Sequence, residues 1–194
     1  MVTELLGGIK MAKQVNRSEP WLRWIAPEEF ADAELFRIVT FFVFHSPCPN
    51  ISSMGKSLSE YGWNAPWKKP YYLNKQLRRA ASNYTILYSA TSCDTLEAAL
   101  VKANLDVGFP SDLTTERIAI VDSKKNQFQS VFCHIRNALA HCRINMVEVN
   151  GECVFVMEDT KKSGERLNVS ARMIIRKSTL LNWINIIEGG ENEY

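Results

Sequence analysis

Histidine is scarce in this chain: His45, His134 and His141 are the only three among 194 residues. The five cysteines, Cys48, Cys93, Cys133, Cys142 and Cys153, are odd in number, scattered and without a C-x-x-C pair. Such a set argues against a disulfide framework and fits reduced thiols serving as small buried hydrophobes in a cytoplasmic protein. Long apolar runs are also missing. The opening MVTELLGGIKMAKQ lacks the sustained apolar core of a secretory signal, and Phe41-Phe42-Val43-Phe44 falls far short of the ~20 residues that cross a bilayer. No membrane contact is therefore expected. Neither charge sign dominates, since 23 Lys and Arg stand against 21 Asp and Glu. A general polyanion-binding coat is excluded, and any contact with nucleic acid has to come from a local patch.

What is present suffices for one well-buried domain and is too short for two, with 46% of 194 residues hydrophobic. Residues 1–26 are expected to form a partly flexible leader, with Met11 available as a second start, and residues 27–190 a single domain. Pro27 followed by Glu28 and Glu29 predicts a helix start, because proline at the first position wastes no donor and carboxylates suit the positive helix end. That helix should run to about His45. Four prolines in residues 46–70 predict a long irregular loop. Helical spacing then covers residues 71–88 and, behind Ser92, residues 93–105; residues 118–121 are an apolar run of uncertain type.

Ser123 can cap the clearest helix, whose Phe128, Val131, Phe132, Ile135 and Leu139 recur at intervals of three and four. Past Arg143 the period switches to two. Residues 146–149 and 152–157 flank Asn150-Gly151, a hairpin dipeptide, and residues 167–175 alternate as a third strand apart from Ile174. Ser178 can cap a last helix, which Gly189 and Gly190 stop. The predicted fold is mainly α, a helical bundle with a small antiparallel hairpin or three-stranded sheet near the C-terminus.

The chemistry concentrates in Arg136-Asn137-Ala138-Leu139-Ala140-His141. With Phe128 at zero and a step of about 100°, Val131, Phe132, Ile135, Leu139 and Cys142 fall within roughly 60° and complete a core stripe. The opposite face carries Ser130, Cys133, His134, Asn137, Ala140 and His141, small enough for a neighbouring helix or a second copy to approach. A plainer alternative makes these ordinary surface groups, with His141 bonding the last carbonyls and Arg136 meeting a carboxylate. Cys133-His134 and His141-Cys142 look like metal ligands, yet roughly 10 Å of helix rise separates the histidines, too far for one zinc. His134 reads as a polar helix-face residue or an outer member of a cleft. No metal or other cofactor is expected.

The Arg136-Asn137 pair followed by His141 near a helix end resembles the motif of the HEPN superfamily, in which Arg, four to six residues and His mark metal-independent ribonucleases. IRNALAHCR, followed by a strand hairpin and a terminal helix with a tryptophan, is similar to a small plasmid- and phage-defence-associated subgroup. Several relatives of that kind carry Gly where this chain has Cys142, a departure that makes the turn less permissive and leaves a thiol beside the site. The resemblance is strongest over residues 128–188. It implies a helical bundle, a homodimer through the motif helix, and RNA cleavage by the substrate's own 2'-hydroxyl. Arg136, Asn137 and His141 would be the catalytic residues. It further implies a role in toxin-antitoxin or antiphage defence, with an antitoxin or a nucleotidyltransferase as partner. The alternative within the same superfamily is a non-catalytic module that binds nucleotide or RNA; a third reading is a structural helical protein with a coincidental motif.

Residues 63–79, WNAPWKKPYYLNKQLRR, interleave Trp63, Trp67, Tyr71 and Tyr72 with Lys68, Lys69, Lys75, Arg78 and Arg79 and contain no acid. Basic groups can follow phosphates while aromatic faces stack on unpaired bases. The same pattern also suits a loop leading into an amphipathic helix with its aromatics in the core. Lys124, Lys125 and Arg143 flank the motif helix as further candidate phosphate contacts.

Overall fold

The computed structural model of the chain describes residues 32–48, 55–68, 72–81, 86–106, 108–122, 126–163 and 166–191. The expected helix start at Pro27, the Ser123 cap, and Lys69, Lys124 and Lys125 lie outside the described residues. Five strands occupy Ile86–Ala90 (β1), Arg117–Val121 (β2), Ile144–Val149 (β3), Glu152–Ser163 (β4) and Arg166–Arg176 (β5). The helices are α1 (Ala33–Thr40), α2 (Tyr72–Ala80), α3 (Cys93–Lys102), α4 (Gln127–Ala140) and α5 (Lys177–Gly189), with a π-helical turn at Phe41–His45 and a 3-10 turn at Leu58–Tyr61.

These elements correct the expectation of a mainly α bundle. The strands form one mixed sheet in the order β1-β2-β5-β4-β3, with β1 and β2 parallel and every other neighbour antiparallel. Helix α3 connects the parallel pair and packs on one face, where Leu96, Leu100, Ala103 and Leu105 meet Ala119, Val154, Val156 and Ile174. The other helices cover the opposite face, where Ile118, Ile120, Phe155, Met157, Met173 and Ile175 share a core with Leu35, Ile38, Phe42, Leu77, Phe132 and Trp183. The protein is a layered α/β structure.

Burial on both faces explains what the periodicity missed. In β2, Arg117 to Ile120 are all buried, so the strand reads as a continuous apolar run rather than an alternating one. The predicted 71–88 helix ends at Ala80 in the structure, and its last part is strand β1. Leu87 happens to continue the helical spacing of α2, and pairing with β2 overrides that local pattern. Ile174, the residue out of step in β5, points into the α3 layer.

Trp183 anchors the thicker layer, edge-on to Phe128 with ring centroids 5.8 Å apart, while its Nε1 donates to the Leu77 carbonyl at 2.8 Å. Trp63 donates to the Ile187 carbonyl at 3.0 Å, satisfying one of the orphan acceptors at the end of α5. Gly190 then closes α5 at φ +70, and a Cβ there would lie 2.5 Å from the Tyr61 carbonyl oxygen. Only glycine lets the 3-10 turn sit against the helix end. Helix α5 begins at Lys177, directly after β5, and Ser178 hydrogen-bonds Glu152 instead of capping. Among the described residues no helix is long and apolar enough to cross a membrane.

Candidate functional site

Asn126 starts α4, its Oδ1 accepting the Phe128 N–H at 2.9 Å. The helix is enclosed almost all round: Ser130, Cys133 and His134 are buried as well as the apolar stripe. Of the thin face expected to receive a partner helix, Ser130, Cys133 and His134 are covered by the chain's own β2 and β4, while Ala140 and His141 stay exposed. What remains open on α4 is a line through Gln129 and Arg136 to Ala140, with His141 exposed just past the helix end and off that line.

The buried polar face is satisfied by specific partners. Ser130 donates to Asp122 Oδ1 at 2.7 Å. His134 stands between two acceptors, with Nδ1 2.7 Å from Asp159 Oδ2 and Nε2 2.9 Å from the Val121 carbonyl. Both ring nitrogens can donate at once only in the imidazolium form. Burial pulls the His134 pKa down, but the hydrogen bond and charge of Asp159, with the Val121 carbonyl, outweigh it and the net direction is upward. Asn137, one turn on, donates to the same Asp159 Oδ2 at 3.2 Å and accepts from Arg136 Nη1 at 3.2 Å. A continuous path thus runs from Val121 through His134, Asp159 and Asn137 to the half-buried Arg136.

Asp159 is aimed by an irregularity of the sheet. It pairs with Ala171 while Thr160 pairs with Val169, leaving Ser170 as the extra residue of a β-bulge. Bulges bend a strand and re-aim its side chains. The other end of the path is shaped by the exit from α4. Cys142 N bonds the Leu139 carbonyl and Arg143 N the Ala138 carbonyl, at 3.1 and 2.7 Å, with Cys142 at φ 51. This is a Schellman closure with cysteine at the left-handed position that glycine favours. It leaves His141 exposed as the C-cap residue.

The predicted catalytic trio therefore gathers at one helix end, with Arg136 and Asn137 in direct contact and His141 a turn beyond. By helix geometry His141 lies about 140° around the axis from Arg136. The candidate RNA contacts are more dispersed. Arg143 Nη1 is 3.4 Å from Glu158, a buried carboxylate that also takes Arg172 Nε at 3.0 Å. Arg78 donates to Gln127 at 2.8 Å and lies over the Phe128 ring, tying α2 to the first turn of α4. Lys68 and Arg79 are exposed. Sequence reasoning missed Asp159 and the buried role of His134; the available signal was the pair Glu158-Asp159 directly after the apolar run Cys153 to Met157 of β4. Among the described residues no three His, Cys, Asp or Glu side chains converge as metal ligands do.

No family model, curated protein or solved structure matches the chain.

Proposed function

We propose that this protein is a metal-independent endoribonuclease whose chemistry takes place at the C-terminal end of α4. The observation that carries the reading is the path from His134 through Asp159 and Asn137 to Arg136, which fixes a guanidinium on the open line of α4. Because a layered α/β fold replaces the expected bundle, the reading rests on the residues of the site and on the Arg136-Asn137-His141 phrase, not on fold likeness.

Arg136 would bind the scissile phosphate, where a planar guanidinium can give two parallel hydrogen bonds and stays charged. Asn137, held by Asp159 on one side and Arg136 on the other, would keep that group in place. A base takes the proton of the ribose 2'-hydroxyl, the 2' oxygen bonds to phosphorus, and the bond to the 5' oxygen breaks. An acid protonates the departing oxygen, leaving a 2',3'-cyclic phosphate and a 5'-hydroxyl. Exposed His141 suits one of these proton steps, since an imidazole can both accept and donate a proton through its ring nitrogens. A second copy meeting the first at Ala140 and His141 would supply the other and set Arg136 of one copy beside His141 of its neighbour. A role in toxin-antitoxin or antiphage defence, with an antitoxin or nucleotidyltransferase partner, is what the resemblance implies.

The test is cleavage of labelled single-stranded RNA in EDTA by the purified chain. Cyclic-phosphate products are expected, with a loss of about 100-fold or more in His141→Ala and Arg136→Ala while both stay folded. Cleavage by the double variant at the wild-type rate would sink the proposal. Binding without cleavage would instead favour the non-catalytic nucleotide- or RNA-binding module.

A further inference from the structure

Two turns up α4 from Arg136, a recess of about 420 Å³ opens between residues 47–48 and 55–67 on one side and the helix on the other. Lys56, Ser57, Asn64, Trp67 and Gln129 contribute to its walls, with the buried Trp63 behind them. The size is that of a small-molecule site, where a few placed polar groups in a partly aromatic lining set orientation. Trp63 is committed to the Ile187 carbonyl. Trp67 packs on the main core yet is only half-buried. Glu60, the one acid among the described lining residues, is occupied by Ser57, accepting from its N–H at 2.6 Å and its hydroxyl at 2.7 Å. Lys56 stands over the Tyr61 ring at 5.5 Å, a cation placed near the recess.

Ligand chemistry follows from this inventory. Among the described lining residues an anion alone finds a single lysine, and a purely apolar molecule would leave the amides of Asn64 and Gln129 dry. A planar heterocycle with donors and acceptors on its edge suits both: it stacks on an indole and hydrogen-bonds carboxamides. Its position narrows the choice. Gln129 and Arg136 are about 20° apart around the helix and about 10 Å apart along it, on the open line of α4. We propose that the recess seats an unpaired nucleobase of the strand whose scissile phosphate lies at Arg136, so that cleavage is directed to a position near a recognised base. The phosphate half of this statement rests on the ribonuclease reading; the base site does not.

The experiment is ligand-observed NMR titration of the full chain with each of the four ribonucleoside 5'-monophosphates, beside cleavage of a single-stranded oligoribonucleotide. Saturable binding is expected, strongest for one or two bases, weakened about tenfold or more in Trp67→Leu and several-fold in Gln129→Ala. Gln129→Ala removes only a half-buried surface amide, so it keeps the result interpretable if Trp67→Leu unfolds. Binding of none of the four, equal binding by wild type and Gln129→Ala, or complete displacement by inorganic phosphate would overturn the base site. Cleavage without mononucleotide binding would remove the base site and spare the ribonuclease; binding without cleavage would do the reverse.

Discussion

Glu158 and Asp159 are neighbours in β4, both buried, and the pleat sends them to opposite faces of the sheet. Glu158 lies on the α3 side and meets two arginines, one of which, Arg172, reaches on to the Leu105 carbonyl at 2.7 Å. Asp159 faces α4 and meets an imidazole and a carboxamide. A guanidinium keeps its charge at every accessible pH, so the first cluster is electrostatically fixed. The second contains an imidazole, a partner whose charge depends on pH. One strand thus carries a permanent brace and a responsive network side by side, and only the responsive one leads to the open line of α4.

The largest way to break this contrast is to remove the brace. Glu158→Leu leaves Arg172, 4% exposed, without its buried counter-charge, and should cost about 3–5 kcal/mol in denaturant unfolding. A loss under about 1 kcal/mol would show that the arginines hold themselves through carbonyls alone.

Asp159→Asn should cost less, about 2 kcal/mol, because it removes a charge-assisted hydrogen bond and keeps the shape. Its sharper effect is on pH dependence. With the His134 pKa raised above 6.5 in the folded chain, the stability it adds is fully present below about 6.5 and is lost as pH rises through the folded value. The unfolding free energy of the wild type should therefore carry a component that falls as pH is raised from 6.5. In Asp159→Asn burial dominates, the folded pKa drops, and that component should reverse sign. Matching pH profiles of the two proteins would contradict the assignment.

The smallest effect concerns the turn that serves both clusters. His141 lies before Cys142 and Arg143, the partner of Glu158, after it. Cys142→Gly should relieve the left-handed strain and stabilise the chain by about 1 kcal/mol, read as a rise in melting temperature. Destabilisation would mean that the thiol makes contacts worth more than the strain.

Local chemistry explains what could be read from the sequence. Asn150 and Gly151 do turn at φ 54 and 78 between β3 and β4, as their dipeptide predicts. Helix α3 sits behind Ser92, and α4 carries the expected core stripe. The second layer was written in signals that a period-of-two or period-of-3.6 search sets aside: a continuous apolar run in β2 and an out-of-step Ile174 in β5. The site divides in the same way. Arg136, Asn137 and His141 are close in sequence and visible as a phrase, whereas the pairing of His134 with Asp159 depends on how α4 crosses β4, which no local pattern encodes.

Strands β4 and β5 outrun their neighbours. Pairing with β3 ends at Met157 and pairing with β2 at Ala171, so residues 160–163 and 166–169 continue as a ribbon of two strands. Among the described residues no strand pairs with the outer edges of this ribbon, and an unpaired edge is a template on which another chain can add a strand. Lys161 and Lys162 are exposed on it, placing like charges where a second copy would have to align. Repulsion between those charges disfavours sheet extension there, so the same ribbon that carries Asp159 at its base also bears the groups that work against edge-to-edge pairing.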